Sequence, residues 1–82
     1  MSKYYEVEIQ IDNTGKVTPG IYVNDSRDEA AILYYSKMAS GMKTPNIQSV
    51  MNVVLNEHGG AEPDLKGYWE KKEPEELNEA EA

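Results

Sequence analysis

Apolar and polar residues alternate from Lys3 to Ile11, and this period of two predicts a strand with one face toward a core. One set of side chains is apolar and is expected to point inward: Tyr5, Val7, Ile9 and Ile11. The intervening set is expected on the open face of a sheet: Tyr4, Glu6, Glu8 and Gln10.

Turn residues at 12–15 and a further apolar stretch from Lys16 to Val23 predict a hairpin. Because Pro19 lacks a backbone N–H, the second strand is predicted to lie at an edge of the sheet or to be bulged. Tyr22 is expected on the open face. The residues of this strand predicted to point inward are Val17, Ile21 and Val23.

Residues 25–42 combine a helical start, an apolar stripe and a helical stop. Ser26 and Glu29 have the spacing of a capping box, and Gly41 is expected to cap the last turn. Several apolar side chains align along one side of this helix, and we expect the stripe to cover one face of the sheet. The aligned residues are Ala31, Tyr35, Met38 and Met42, flanked by Ile32, Tyr34 and Ala39.

A second long strand is predicted over residues 47–57, and His58-Gly59-Gly60 is predicted to form the turn that follows it. A last short strand is predicted within residues 64–71. The inward residues of the long strand are expected to be Ile47, Ser49, Met51, Val53 and Leu55, which leaves Val50 and Val54 on the open face.

The predicted order is β-β-α-β-β, which is an α+β fold. A right-handed crossover that skips one strand brings the third strand beside the first. The sheet is then antiparallel, has three to four strands in the order 2-1-3-4, and carries the helix on one face. We expect one domain over residues 1–71 and a disordered acidic tail over residues 72–82, which are poor in apolar side chains.

Composition narrows the possible functions. The chain has 82 residues, a net charge of −7 and no Cys, so disulfides and thiolate metal sites are excluded. An acidic surface repels phosphate backbones, so direct nucleic-acid binding is not expected. We find no apolar run of signal-peptide or transmembrane length, and we expect no membrane association and a cytoplasmic location.

Few residues have the type and spacing expected of a catalytic or metal-binding site. His58 is the only histidine and precedes two glycines, and its acidic neighbours at 57, 62 and 64 lack a compact metal-ligand spacing. Glu6 and Glu8 share one strand face, but a general acid needs a desolvated pocket and these are expected in solvent. We therefore predict that the protein is not an enzyme and uses no cofactor or metal.

The remaining class is a protein-interaction or assembly module, which could associate with itself. The residues expected to form the contact are Tyr4, Tyr22, Val50, Val54 and Trp69. Two alternatives stay open: an acidic inhibitor that mimics nucleic acid, and a small-ligand or metal binder near His58.

Four parts of the chain carry a resemblance: the alternating first strand, residues 25–31 leading into Tyr34-Tyr35, residues 47–60, and the closing Tyr68-Trp69-Glu70. Together they cover residues 4–70 and resemble small uncharacterised proteins encoded in prophages and phage-like elements of Gram-positive bacteria. The resemblance implies no catalytic residues. It implies a phage-related accessory or virion-assembly role, with virion association as an alternative to the cytoplasm.

Overall fold

The computed structural model describes residues 3–71 and confirms the predicted order of elements. The elements are β1 (Tyr4–Asp12), β2 (Val17–Asn24), α1 (Arg27–Lys43), β3 (Ile47–Leu55) and β4 (Ala61–Glu70). The strands form one sheet in the order β2-β1-β3-β4, and all neighbouring strands are antiparallel. The predicted disordered tail at residues 72–82 lies outside the described residues.

The edge strands of the sheet are β2 and β4. Pro19 lies opposite Ile9 in the edge strand β2, as predicted from its missing N–H. The last strand begins earlier than predicted, at Ala61, and pairs with β3 within the same chain, where Tyr68 lies opposite Met51.

Helix α1 begins as predicted but ends differently. The backbone N–H of Glu29 donates to Ser26 Oγ at 3.1 Å, while Glu29 Oε1 accepts from the backbone N–H of Asp25 at 3.1 Å. The prediction that Gly41 caps the last turn is wrong, because the helix continues to Lys43 and the cap residue is Thr44. Gly41 is instead buried against β3.

The helix covers the face of the sheet that was predicted to be open. The residues beneath it include Glu6, Val50 and Val54, each with no exposed surface. The core cluster consists of Ala30, Tyr34, Val54 and Leu65, with Tyr4, Ala31 and Met38 packed against it. The set predicted to point inward therefore faces away from the helix on β1, on β2 and over residues 49–55 of β3, whereas Ile47 is buried as predicted.

The orientation of the helix also differs from the prediction. Tyr34 is buried, whereas Tyr35, Ile32 and Met42 of the predicted stripe are at least half exposed. The helix approaches the sheet closely through small residues. A Cβ on Gly67 would lie 2.5 Å from Tyr34 Oη, and a Cβ on Gly41 would lie 2.9 Å from Val50 Cγ1.

The strand order explains why the helix does not cover the more apolar face of the sheet. Strands β2 and β3 both run antiparallel to β1, which lies between them, so they are parallel to each other and α1 is their crossover. Crossovers of this kind are right-handed in about 98% of cases. The covered face thus depends on chain direction and handedness, even when the other face is more apolar.

Candidate functional site

One whole side of the sheet is uncovered within residues 3–71. We call it the apolar face; it comprises the odd-numbered residues 5–11 of β1, 17–23 of β2 and 49–55 of β3, with Lys66, Tyr68 and Glu70 of β4. On β1 and β2 every one of these side chains is apolar: Tyr5, Val7, Ile9, Ile11, Val17, Pro19, Ile21 and Val23.

Several side chains of the apolar face are strongly exposed. Ile21 is 68% exposed, Val23 61% and Tyr68 63%. A shallow depression of about 410 Å³ lies between β3 and β4, and Met51 and Val53 form part of its floor. Large contiguous apolar patches are uncommon on monomeric soluble proteins, so this face is the candidate contact surface.

The apolar face carries charge on one strand. Lys66 and Glu70 lie two residues on either side of Tyr68, so all three point to the same side of β4. Tyr68 Oη donates to Glu70 Oε1 at 3.1 Å, and this hydrogen bond to a carboxylate raises the pKa of Tyr68.

A buried polar cluster lies on the opposite side of the sheet, beneath α1. Glu6 and Asn52 are fully buried and Glu8 is nearly so, so the prediction that Glu6 and Glu8 are solvated is wrong. Within residues 3–71 neither carboxylate oxygen of Glu6 has a hydrogen-bond partner. Burial, together with the nearby charge of Glu8, raises the pKa of Glu6 to about 7.

Lys37 links the helix to this cluster. Its Nζ donates to Tyr22 Oη at 3.1 Å, lies 4.2 Å from the centre of the Tyr22 ring, and is 3.6 Å from Glu8 Oε1. The hydrogen bond to Tyr22 and the charge of Glu8 both raise the pKa of Lys37. Glu6 has no exposed surface, and the contacts of Lys37 with Glu8 and Tyr22 connect α1 to the sheet.

The structure brings none of the five predicted contact residues to the apolar face. Val50 and Val54 are fully buried, and Tyr4 packs on the core, because their face is the one that α1 covers. Tyr22 is 37% exposed and is held by Lys37. Trp69 is half-buried on the helix side, opposite Val50.

The alternating pattern correctly groups the residues of the apolar face on one side of the sheet. The prediction that this side forms the core is wrong. A signal for their exposure was present in the opposite set: Val50 and Val54 share a face with Gly67, which lacks a side chain and leaves room for a packed element.

His58 lies in a solvent-exposed turn between β3 and β4. Its side chain is 85% exposed, and its Nε2 lies 3.5 Å from Glu57 Oε2. Within residues 3–71 no three His, Cys, Asp or Glu side chains come together in a group that could hold a metal ion.

The chain was also compared with known proteins. No protein-family model matches it, and no curated protein or solved structure is significantly similar to it. In the part of the chain that the structure describes, α1 is neither long nor apolar enough to cross a membrane.

Proposed function

We propose that this protein is a non-enzymatic interaction module that associates with itself through the apolar face. The occupant of the face is a second copy of the chain. The observation that carries the proposal is an entire sheet face whose side chains on β1 and β2 are all apolar and which no element covers within residues 3–71.

The size of the face suits a dimer. The apolar face spans seven residues on each of β1, β2 and β3 and five on β4, and at about 3.3 Å per residue and about 4.8 Å per strand this gives roughly 400 Å² of projected surface on each copy. Two such faces give roughly 800 Å² of projected surface, which is close to the area of about 1,000 Å² expected of a specific interface. The accessible area is larger than the projected area because the side chains protrude.

The sheet of a second copy fits the apolar face better than the helix of a second copy does. The outer side of α1 also exposes apolar side chains, since Ile32, Tyr35 and Met42 are at least half exposed. A helix is about 10 Å wide and would cover about half of a four-stranded face. An identical sheet covers its full width, as in β-sandwiches.

Two matched substitutions test the proposal. Ile21 on the apolar face and Ile32 on the outer side of α1 are 68% and 70% exposed, so Ile21→Lys and Ile32→Lys place the same charge at equally accessible positions. Sedimentation velocity over a range of protein concentrations measures association. We expect wild type and Ile32→Lys to dimerise and Ile21→Lys to remain a folded monomer by circular dichroism.

The other outcomes contradict the proposal. A wild-type protein that stays monomeric at high concentration would remove self-association as a function. If both variants abolish association and the wild type forms open-ended oligomers, the helix of one copy packs on the sheet of the next.

The biological setting of this module is proposed from sequence alone. A phage-related assembly role, in the cytoplasm or in a virion, is supported by the resemblance over residues 4–70. Phage genes flanking the gene would support it, and a housekeeping operon would count against it. Mimicry of nucleic acid gains no support from Glu6 and Glu8, which are buried beneath α1.

A further inference from the structure

The registers of the three ladders align the apolar face into rows that run across the strands. Pro19, Ile9, Met51 and Tyr68 form one row. The row on one side of it ends in Glu70 on β4, and the row on the other side ends in Lys66. Tyr68 is therefore flanked at equal distances by a negative and a positive side chain.

We infer that two copies pack sheet to sheet about a twofold axis that runs along the row from Pro19 to Tyr68. This inference rests on the proposed function and specifies its geometry. Each β4 then crosses the β4 of the second copy, and Lys66 of each copy lies over Glu70 of the other. Sheets that pack face to face lie about 10 Å apart, a gap that these two long side chains can bridge.

The same axis matches apolar residues to apolar residues. The rows on either side of it exchange places, so that Val17 faces Ile21 of the second copy and Ile11 faces its Val7. Charge therefore meets opposite charge at one margin, and aliphatic side chains of β1 and β2 meet across the three rows nearest the axis. Ser49 faces Val53 of the second copy, and the outer row of Val23, Tyr5 and Leu55 extends beyond the matched rows. Such a self-complementary pattern is what a twofold interface requires.

The competing arrangement has its twofold axis parallel to the strands. In it β4 crosses β2 of the second copy, which places Lys66 over Ile21 and Glu70 over Val17. Both charges would lose water without gaining a partner, and this desolvation disfavours the arrangement. The position of the two charges on one edge strand thus selects the orientation of the second copy.

Charge reversal tests the pairing. Lys66→Glu and Glu70→Lys each place like charges together at two symmetric positions, and we expect each to weaken self-association by about tenfold at low ionic strength. An equimolar mixture of the two variants forms heterodimers with both pairs restored, and we expect near wild-type affinity. The double variant Lys66→Glu/Glu70→Lys should also dimerise normally.

The matched control is Lys43→Glu, which changes net charge by the same amount at the exposed end of α1 and should leave association unchanged. Sedimentation equilibrium provides the dissociation constants. If both single variants associate like wild type, or if the mixture does not recover, the axis is wrong although self-association stands. A monomeric wild type would instead overturn the proposed function itself.

Discussion

Glu6 lies directly opposite Val54 in the β1–β3 ladder, and both side chains are fully buried beneath α1. The carboxyl group therefore shares the apolar core on one side and faces the charged pair of Glu8 and Lys37 on the other. Burial disfavours its ionised form, which is why the pKa of Glu6 is raised to about 7.

This raised pKa makes stability depend on pH. Glu6 binds its proton more tightly in the folded protein than in the unfolded chain, where its pKa is 4.5. The contribution of Glu6 to stability is therefore fully present below pH 4.5 and is lost as the pH rises through the folded pKa of about 7. We expect the free energy of unfolding to fall by roughly 2–3 kcal/mol across this window. Denaturant unfolding at fixed protein concentration measures it.

Glu6→Gln should remove most of that pH dependence, because the amide does not titrate. Above pH 7 the variant should be more stable than wild type. Glu57→Gln removes a carboxylate at an exposed hairpin tip and serves as the control. A slope that survives in Glu6→Gln would show that another group is responsible; the charged or titratable neighbours to examine are Glu8, Tyr34, Lys37 and Tyr22.

The order and pairing of the elements could be predicted from the sequence. Alternation over residues 3–11 and 47–57, the cap at Ser26 and Pro19 are local signals that predict the elements and the edge strand. The preference for a right-handed crossover then predicts the strand order β2-β1-β3-β4. Each signal depends on neighbouring residues along the chain, so one sequence suffices to interpret it.

The covered face could not be predicted in the same way. Both faces of β3 carry apolar side chains, and the more apolar set was assigned to the core, although α1 covers the set with Glu6 and Asn52. The face that α1 covers is determined by the crossover connection and by close packing at Gly41 and Gly67. Both depend on contacts between residues that are far apart in the sequence. The candidate site was misplaced for the same reason, since the open face and the covered face were exchanged.

Gly67→Ala tests the close contact between α1 and β4. The new Cβ would lie 2.5 Å from the hydroxyl of buried Tyr34, so we expect a loss of roughly 1–3 kcal/mol in the free energy of unfolding. Tyr34→Phe removes that hydroxyl and should rescue most of the loss in the double variant. Thermal and denaturant unfolding measure both.

Gly20→Ala is the control for Gly67→Ala. Its Cβ would meet Tyr22 Oη at 2.9 Å, but that ring is 37% exposed and can shift toward solvent at the expense of its contact with Lys37. We expect a smaller loss from this variant. A Gly67→Ala protein as stable as wild type, or one that Tyr34→Phe does not rescue, would mean that α1 lies farther from β4 than described.

Gly41→Ala sets helix propensity against packing. Alanine favours a helix interior by about 1 kcal/mol over glycine. Here, however, the Cβ would lie 2.9 Å from Val50 Cγ1 and 3.0 Å from Val50 Cβ, so we expect a net loss of roughly 1–2 kcal/mol. The neighbouring Ser40→Ala, at an exposed position, should be neutral or slightly stabilising. A stabilised Gly41→Ala protein would contradict the packing.

Arg27 connects the first turn of α1 to β4 through two carboxylates. Its Nε lies 2.8 Å from Glu62 Oε1, and its Nη2 lies 2.6 Å and 2.8 Å from the oxygens of Asp64.

The hydrogen bond from Arg27 lowers the pKa of Asp64. The stabilisation that this ion pair provides is therefore present at neutral pH and is lost as the pH falls through that lowered pKa. We expect Arg27→Met to destabilise the protein at pH 7, by less than Gly67→Ala does, and to match wild type in strong acid. Lys3→Met, which breaks the exposed pair with Asp25, is the control and should have a smaller effect. An Arg27→Met deficit that persists unchanged in acid would assign the effect to packing of the Arg27 stem and not to its charge.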